Sequence, residues 1–314
     1  MENKRFVIIS DVTSDLDLSI RERFDLEYLP GHIVNEKGED CLTDLDWKLY
    51  KCPEDFYKVL SKNAGKITTS PASIEETKKE FKKYLEQGLD IIHLSLSSGL
   101  SGSYKFAQKA ADELKEEYQD RQIFVIDTLR YSTSIGLLAV YASQLREQGL
   151  SVKEVADILE EKKHCVHEMG PMDDLMFLAK KGRISKAKAF MGTLVGVKPM
   201  GDFNRVGLTT VMAKAKGLKS AINAAAEYVR RNIVEPENQI VFISNTNRVE
   251  EAKKLEAAIK EKINCKEIIS VNCHPASATN IGPGLYAAYF FGKPISENNV
   301  EEEKLLNEIL KSQK

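Results

Sequence analysis

The feature that most constrains the fold is a regular alternation, in the first half of the chain, of short apolar runs with longer helical patterns. The apolar runs cover residues 5–10, 89–94 and 122–126. The helical patterns cover residues 73–87, 102–117 and 133–148. Strands and helices that alternate in this way form a mostly parallel sheet with helices on both faces. The first half therefore predicts an α/β fold built on a mostly parallel sheet flanked by helices.

The second half of the chain has a different order of predicted elements. Residues 197–203 and 205–213 are typical of a β-hairpin. Further helical patterns and apolar runs follow, at residues 218–232, 239–244, 249–262, 266–271 and 285–291. This order predicts a second α/β domain with a mixed, partly antiparallel sheet. A chain of 314 residues is typical of two domains, and we predict an N-terminal domain at 1–158 and a C-terminal domain at 159–314.

Polar turns follow three predicted strands of the first half, at residues 10–15, 95–103 and 127–128. Ligands of open α/β sheets bind beyond the carboxyl ends of the strands. The three turns are therefore expected to share one crevice. The alternative is that each turn only caps the helix that follows it.

The turn at residues 95–104 reads Ser-Leu-Ser-Ser-Gly-Leu-Ser-Gly-Ser-Tyr. It places hydroxyls and backbone N–H groups at a helix N-terminus, where unpaired donors favour an anion. The turn has neither the lysine of a P-loop nor the G-x-G-x-x-G spacing of a dinucleotide site. This composition favours a small anionic head group, such as a carboxylate, over a nucleotide.

Composition excludes several partners. The 45 basic and 47 acidic residues leave a formal net charge of −2, which gives no general attraction to nucleic acid or to an anionic membrane. No apolar run approaches the roughly 20 residues that a membrane-spanning helix needs. Five cysteines, an odd number without paired spacing, favour a reducing cytoplasm over a disulfide framework. We therefore expect a cytoplasmic protein without nucleic-acid partners or integral membrane association.

We expect neither a metal nor a cofactor. His164 and His167 lie three residues apart, beside Cys165. A closed zinc site needs four converging ligands, and no further ligands are grouped with these.

Three other segments carry candidate binding residues. Thr69 and Ser70 precede Pro71, which holds them extended so that their hydroxyls can point into a cleft. Gly282 and Gly284 flank a proline and allow the backbone to approach a ligand closely. Arg183 places a cation before the apolar residues 184–195.

In its short motifs and in their order, the chain resembles the DegV family of bacterial fatty-acid-binding proteins over nearly its whole length. The matching motifs are Asp11-Val12-Thr13-Ser14-Asp15-Leu16, Thr69-Ser70-Pro71-Ala72-Ser73, Ser97-Ser98-Gly99-Leu100-Ser101-Gly102-Ser103-Tyr104, Val125-Ile126-Asp127, Asp173-Asp174-Leu175, Lys181-Gly182-Arg183-Ile184-Ser185, Gly217-Leu218-Lys219 and Gly282-Pro283-Gly284. The resemblance implies a two-domain α/β fold with one long-chain fatty acid buried between the domains. It implies that Thr69 and Ser97 or Ser98 hold the carboxylate, and that Arg183 matches the arginine of the family's glycine-arginine-isoleucine motif.

The same resemblance implies a lipid carrier that is not itself an enzyme. A partner fatty acid kinase would phosphorylate the bound carboxylate and give acyl phosphate for phospholipid synthesis.

Two departures from the family pattern concern the head-group site. Pro71-Ala72 replaces the usual glutamine-proline, which shifts the proline by one position. Asn280 stands where the family often has a histidine that helps to bind the carboxylate. An asparagine donates hydrogen bonds but carries no charge. Carboxylate binding is therefore expected to depend more on hydroxyls and on Arg183, with His274 as another possible substitute.

A fatty-acid tail requires an apolar tunnel. Each buried methylene contributes roughly 0.8 kcal/mol, so a 16-carbon tail contributes about 12 kcal/mol before the costs of binding. The candidates for tunnel-lining residues are Ile184, Phe190, Met191 and Leu194. The alternative is that these side chains belong to the ordinary hydrophobic core.

Two enzymatic functions are weaker alternatives. The first is an enzyme of the related dihydroxyacetone-kinase-like fold that acts on a small hydroxy-ketone or phosphorylated substrate. Such an enzyme attaches its substrate through a histidine, and Asn280 stands at the expected position. The second is a serine hydrolase that uses Ser98 or Ser101, although the chain lacks the G-x-S-x-G motif around these serines.

Overall fold

A computed structural model describes residues 6–173, 175–184 and 196–313 of the protein. The strands are β1 (Phe6–Asp11), β2 (Glu27–Leu29), β3 (His32–Val34), β4 (Asp40–Leu42), β5 (Thr68–Ser70), β6 (Asp90–Ser95), β7 (Ile123–Asp127), β8 (Val166–Pro171), β9 (Val197–Phe203), β10 (Thr209–Lys216), β11 (Ile240–Asn245), β12 (Glu267–Asn272) and β13 (Tyr286–Phe291). The helices are α1 (Leu18–Phe24), α2 (Pro53–Asn63), α3 (Ile74–Leu85), α4 (Ser103–Glu117), α5 (Thr133–Glu147), α6 (Val152–Lys162), α7 (Leu175–Lys180), α8 (Gly217–Asn232), α9 (Val249–Lys260), α10 (Pro275–Ile281) and α11 (Val300–Ser312). None of these helices is long and apolar enough to cross a membrane.

The first sheet has the strand order β2-β1-β6-β7, and all of its strands are parallel. Its central strand β1 is buried along its whole length, as expected for a parallel sheet covered on both faces. The helices α3 and α6 begin where the sequence predicts, at residues that cap their N-termini. Ser73 forms a complete capping box with Glu76, and Ser151 forms one with Glu154. The predicted parallel α/β architecture of the first half is confirmed.

The second sheet has the order β10-β9-β8-β13-β11-β12. Strands β11 and β12 are parallel and the other neighbouring pairs are antiparallel, which confirms the predicted mixed sheet. Strand β10 begins four residues later than the pattern predicts, because residues 204–208 form the turn of the hairpin. Asn204 closes this turn by accepting hydrogen bonds from the N–H groups of Val206 and Leu208, at 3.1 and 2.9 Å.

A third, antiparallel sheet, β4-β3-β5, was not predicted as a unit. Each of its strands has only three residues, and β4 and β5 are largely polar, so the sequence carries little strand signal there. Strand β5 contains the threonine-serine motif and pairs Thr69 with Ile33 of β3. This pairing fixes the extended conformation that Pro71 favours.

Helix α5 lies between the first and second sheets and is buried on nearly all sides. A helix that is apolar all round belongs in a protein interior. One hydrophobic cluster accordingly contains residues of both halves, from Phe6 of β1 to Phe291 of β13. The predicted domain boundary at residue 158 falls within α6, and the division into 1–158 and 159–314 stays a prediction.

The double-serine turn of the first half contacts the β9–β10 turn of the second half. The Ser97 hydroxyl donates a hydrogen bond of 2.9 Å to the carbonyl oxygen of Gly207. At Gly99 a Cβ atom would lie 2.9 Å from the carbonyl oxygen of Val206. Only glycine allows the two turns to approach so closely, because the obstacle is a backbone atom.

We therefore expect Gly99→Ala to destabilise the protein by about 1–3 kcal/mol, as overpacking typically does. Gly102→Ala is the matched control in the same turn, since a Cβ atom there meets only the Phe106 side chain, at 3.7 Å. Urea denaturation of both variants measures the difference. Equal free energies of unfolding for the two variants would show that this contact does not constrain the fold.

Candidate functional site

A cavity of about 340 Å³ lies between the first and second sheets. Such a volume is within the range of small-molecule sites. Its apolar lining comes from the first sheet, from the second sheet and from α7 and α10. Representative apolar residues of the lining are Leu96, Leu100, Met172, Leu178, Phe203 and Leu285.

Two of the three predicted polar turns reach this cavity. Residues 11–13, after β1, and residues 101–103, after β6, belong to its lining. Asp127 and Thr128 are not among the lining residues of the described chain. The carboxylate of Asp127 instead accepts the N–H of Ser98, at 3.1 Å, and the Thr128 hydroxyl donates to the Ser95 carbonyl, at 2.7 Å. The third turn thus supports the second turn.

The threonine-serine motif and the Asn280 position meet in the cavity wall. The Asn280 side-chain amide donates a hydrogen bond of 2.8 Å to the Thr69 hydroxyl oxygen. Both residues line the cavity. A hydroxyl that accepts a hydrogen bond still has its own proton to donate. Asn280 therefore leaves Thr69 as a donor toward a bound anion.

Tyr131 belongs to the same polar end of the cavity. Its hydroxyl donates to the Ser277 carbonyl, at 2.8 Å, and its ring lines the cavity. Burial raises the pKa of Tyr131 well above its usual value, while a hydrogen bond with Asn280 and the charge of Arg183 act in the other direction. The phenol is therefore neutral at physiological pH.

Two cations stand close to this end. Arg183 lines the cavity and donates to the Lys181 carbonyl, at 2.8 Å, and the Lys181 ammonium donates to the Ile67 carbonyl, at 2.6 Å. Burial lowers the pKa of Lys181, and the neighbouring Arg183 charge lowers it further. A bound anion would relieve this repulsion between like charges.

The N-terminus of α4 forms another polar part of the wall. The Ser101 hydroxyl oxygen accepts the N–H of Ser103, at 3.2 Å, and the two hydroxyls lie 2.9 Å apart. The N-cap residue, Gly102, provides no side-chain cap. The Ser101 hydroxyl thus occupies one backbone donor of this helix end, and anion binding there stays a prediction of the sequence.

The predicted carboxylate ligands Ser97 and Ser98 lie elsewhere. Within the described chain neither residue belongs to the cavity lining. The Ser97 hydroxyl is buried against Gly207, and Ser98 is exposed. Ser101 and Ser103 of the same motif reach the cavity instead. All four residues are serines. Only the path of the turn after β6 therefore decides that Ser101 and Ser103, and not Ser97 and Ser98, line the cavity.

The predicted close approach at Gly282 and Gly284 occurs, but toward protein side chains. Their φ angles are +81° and +118°. A Cβ atom at Gly282 would lie 2.3 Å from the Phe177 ring, and one at Gly284 would lie 2.7 Å from Cβ of Asp173. Neither glycine is among the described lining residues. The loop therefore anchors the segment that carries α7 and Arg183.

The predicted tunnel residues are only partly within the described chain. Ile184 is buried in the main hydrophobic cluster but is not a lining residue of the cavity. Phe190, Met191 and Leu194 lie outside the described residues. Sequence reasoning missed Glu168, a carboxyl group in the wall, because nothing in its local pattern marks it.

Two histidines that the sequence analysis names, His167 and His274, are buried in the protein interior. His167 is buried between the Tyr228 hydroxyl, at 3.1 Å, and the Lys293 carbonyl, at 2.7 Å. His274 is buried and stacks on Trp47, and burial lowers its pKa to about 4. In the described part of the chain His274 does not line the cavity, and no grouping of three or more His, Cys, Asp or Glu residues could hold a metal.

The geometry defines a class of protein: an α/β protein that encloses an apolar cavity with a polar, cation-flanked end, which suits an amphipathic anion. The family model described as "Uncharacterised protein, DegV family" matches residues 5–293. The chain belongs to the DegV family.

Relatives and solved structures agree with this assignment. The chain is 33% identical to a DegV domain-containing protein of Clostridium perfringens, over 92% of this chain and 98% of that protein. It is 30% identical to a fatty acid-binding protein of Thermotoga maritima, over 88% and 94% of the two chains.

A DegV lipid-binding protein of Thermotoga maritima has a similar structure, with a TM-score of 0.80 and 26% identity, over 92% of this chain and 99% of that one. The fatty acid kinase B3 protein of Streptococcus pneumoniae, solved with linoleic acid, shares the fold, with a TM-score of 0.78 and 20% identity, over 92% and 99% of the chains.

His32 of β3 joins the small sheet to α3 at the cavity. Its Nε2 atom lies 2.9 Å from the Glu76 carboxylate and its Nδ1 atom lies 3.2 Å from the Asp40 carboxylate. Burial lowers the pKa of His32, but the two carboxylates raise it by more, so that the net shift is upward. The Glu76 pKa falls to about 2, through hydrogen bonds from Ser73 and then from His32.

A raised pKa in the folded state means that protonated His32 stabilises the fold below its unfolded pKa of about 6.5, and that this contribution is lost as the pH rises through the folded pKa. We expect His32→Gln to cost up to about 1 kcal/mol at acidic pH and much less at alkaline pH. Urea denaturation at about pH 5.5 and about pH 9 measures this.

His164→Gln is the control, because burial lowers the pKa of His164 and the opposite pH dependence follows. A cost of His32→Gln that is the same at both pH values would contradict the assignment.

Proposed function

We propose that the protein binds one long-chain fatty acid in the cavity between its sheets. The carboxylate lies at the Thr69–Asn280 pair, close to Arg183, and the tail contacts the apolar wall. The observation that carries this proposal is the hydrogen bond from Asn280 to Thr69, which leaves a hydroxyl donor at one end of an otherwise largely apolar cavity. Ser101 and Ser103 at the α4 N-terminus supply further polar groups.

The tail and the head group contribute unequally to the free energy of binding. The roughly 12 kcal/mol of tail burial exceeds the roughly 1.5–3 kcal/mol of one charge-assisted hydrogen bond. The tail therefore supplies most of the affinity. The polar end sets the orientation, because a carboxylate placed among apolar side chains would lose its hydration without compensation.

We infer further that the protein is a cytoplasmic carrier that presents its ligand to a fatty acid kinase, which makes acyl phosphate for phospholipid synthesis. This inference is supported by the family resemblance and by the similar structure of the fatty acid kinase B3 protein of S. pneumoniae. The cations Lys181 and Arg183 beside the head-group end would also suit the phosphorylated product.

The enzymatic alternatives find less support. His32 is the histidine of the described cavity lining, and carboxylates hold both of its ring nitrogens. It is therefore poorly placed for covalent attachment of a hydroxy-ketone. Because the Glu76 and Asp40 carboxylates occupy both ring nitrogens of His32, this histidine is also poorly placed to act as a general base for Ser101. The Ser101 hydroxyl pairs instead with the Ser103 hydroxyl.

Thr69→Val keeps the shape of the side chain and removes the hydroxyl. We expect it to weaken fatty-acid binding about 10- to 100-fold, the effect of one charge-assisted hydrogen bond. Thr68→Val is the matched control, because Thr68 is the exposed neighbour outside the cavity lining. Titration of delipidated protein with palmitic acid measures both affinities. Equal affinity of the two variants would remove Thr69 from the head-group site, and no binding by the wild type would overturn the proposed function.

The carrier role predicts that acyl phosphate forms only when the loaded protein, ATP and a fatty acid kinase catalytic protein are all present. Trapping with hydroxylamine detects the acyl phosphate. Arg183→Gln should lower the rate at saturating fatty acid, because it removes a positive charge beside the reacting carboxylate. Turnover by the protein without the kinase would contradict the carrier role.

A further inference from the structure

Glu168 is a carboxyl group in the wall of the tail-binding cavity. Residues of β8 alternate between the two faces of the second sheet, so Glu168 shares its face with Gly170, which also lines the cavity. Its neighbours Met169 and His167 point to the opposite face, toward α8. Glu168 also stands directly across from Tyr289 of β13, which belongs to the hydrophobic cluster between the sheets.

The other two carboxyl groups of the described lining have hydrogen-bond partners. Asp11 accepts the N–H and the hydroxyl of Thr13, at 2.9 and 2.8 Å. Asp202 accepts the N–H of Phe203, at 2.6 Å. Glu168 makes no hydrogen bond and no ion pair with any described residue. The hydroxyl of the facing Tyr289 accepts a hydrogen bond from Ser244 instead, at 3.0 Å.

The nearby guanidinium does not pair with Glu168 either. Arg130 is fully buried, and its hydrogen bonds all go to backbone carbonyls, those of Lys163, Leu129 and Phe203. Burial raises the pKa of Glu168 well above its usual value, and the charge of Asp202 raises it further. The charge of Arg130 acts on this pKa in the other direction. In its protonated form the Glu168 carboxyl group can both donate and accept a hydrogen bond.

Glu168 and the head-group end lie on different elements of the cavity wall, because Glu168 belongs to β8, Thr69 to β5 and Asn280 to α10. The charges of Asp202, Arg130 and Asp15 act on Glu168. At the head-group end, the charge of Asp15 also acts on Tyr131, which contacts Asn280 and responds to Arg183. A chain anchored at Thr69 would thus pass a second polar group along the cavity. A plain hydrocarbon there would leave the carboxylic acid without a partner, which is costly in an apolar site.

We propose that the preferred ligand is a hydroxy fatty acid, whose chain hydroxyl forms a hydrogen bond with Glu168. This proposal rests on the proposed function and adds the chemical class of the acyl chain. The carboxylate binds at Thr69, Asn280 and Arg183. Glu168 then selects a chain that carries a hydroxyl at the depth of β8.

The test compares octadecanoic acid with a set of octadecanoic acids that carry one hydroxyl at successive positions along the chain. Their affinities for delipidated wild type, Glu168→Gln and Glu168→Met are measured by titration. We expect one hydroxylated isomer to bind the wild type about three- to tenfold tighter than octadecanoic acid. Glu168→Gln should keep this preference, since an amide also donates and accepts. Glu168→Met should abolish it and bind octadecanoic acid more tightly than the wild type does.

The preference is a ratio of affinities within each variant, so partial misfolding of a variant does not affect it. A wild type that binds octadecanoic acid at least as tightly as every hydroxylated isomer would overturn the proposal. A preference that survives in Glu168→Met would also overturn it. If neither octadecanoic acid nor any isomer binds the wild type, the proposed function itself fails.

Discussion

The buried carboxylate of Asp15 holds together the segments that build the cavity. One of its oxygens accepts the N–H of His274, at 2.8 Å, and the other accepts the hydroxyl of Ser132. These bonds join the turn after β1 to the start of α10 and to the start of α5. Burial raises the Asp15 pKa to about 7 in spite of these hydrogen bonds. Because α10 carries Asn280, these bonds help to position the proposed head-group site.

Around this contact one face of each sheet packs into a shared hydrophobic cluster, while the other faces of the two sheets form separate clusters. Helix α5 is apolar on nearly every side, because it packs against strands of both sheets. Gly136 permits its close approach to the turn after β1, since a Cβ atom there would lie 2.6 Å from the Ser14 carbonyl oxygen. The cavity lies between the same two sheets, where the apolar side chains do not fill the space. An apolar ligand there would complete the core as well as occupy a site.

The sequence predicts the elements well and the individual contacts less well. Alternating apolar runs and capping boxes are local signals, and the strands and helices that they predict are present. The three-residue strand β5 has no such signal, because Pro71 favours an extended conformation there but only the pairing with β3 makes the segment a strand. In the serine-rich turn the sequence marks the segment but not the serine, since the path of the chain brings Ser101 and Ser103 into the cavity and turns Ser97 toward Gly207.

By itself the sequence determined the α/β architecture, the mixed second sheet and the family, because these follow from periodicity and from motifs that each span a few residues. Only the tertiary structure decided which polar groups face the cavity. Asn280 and Thr69 are 211 positions apart in the chain and 2.8 Å apart in space. Glu168 is one polar residue among many in the sequence, and it becomes exceptional only where β8 faces the cavity without a partner for its carboxyl group. Such pairings arise from long-range packing, which no local pattern records.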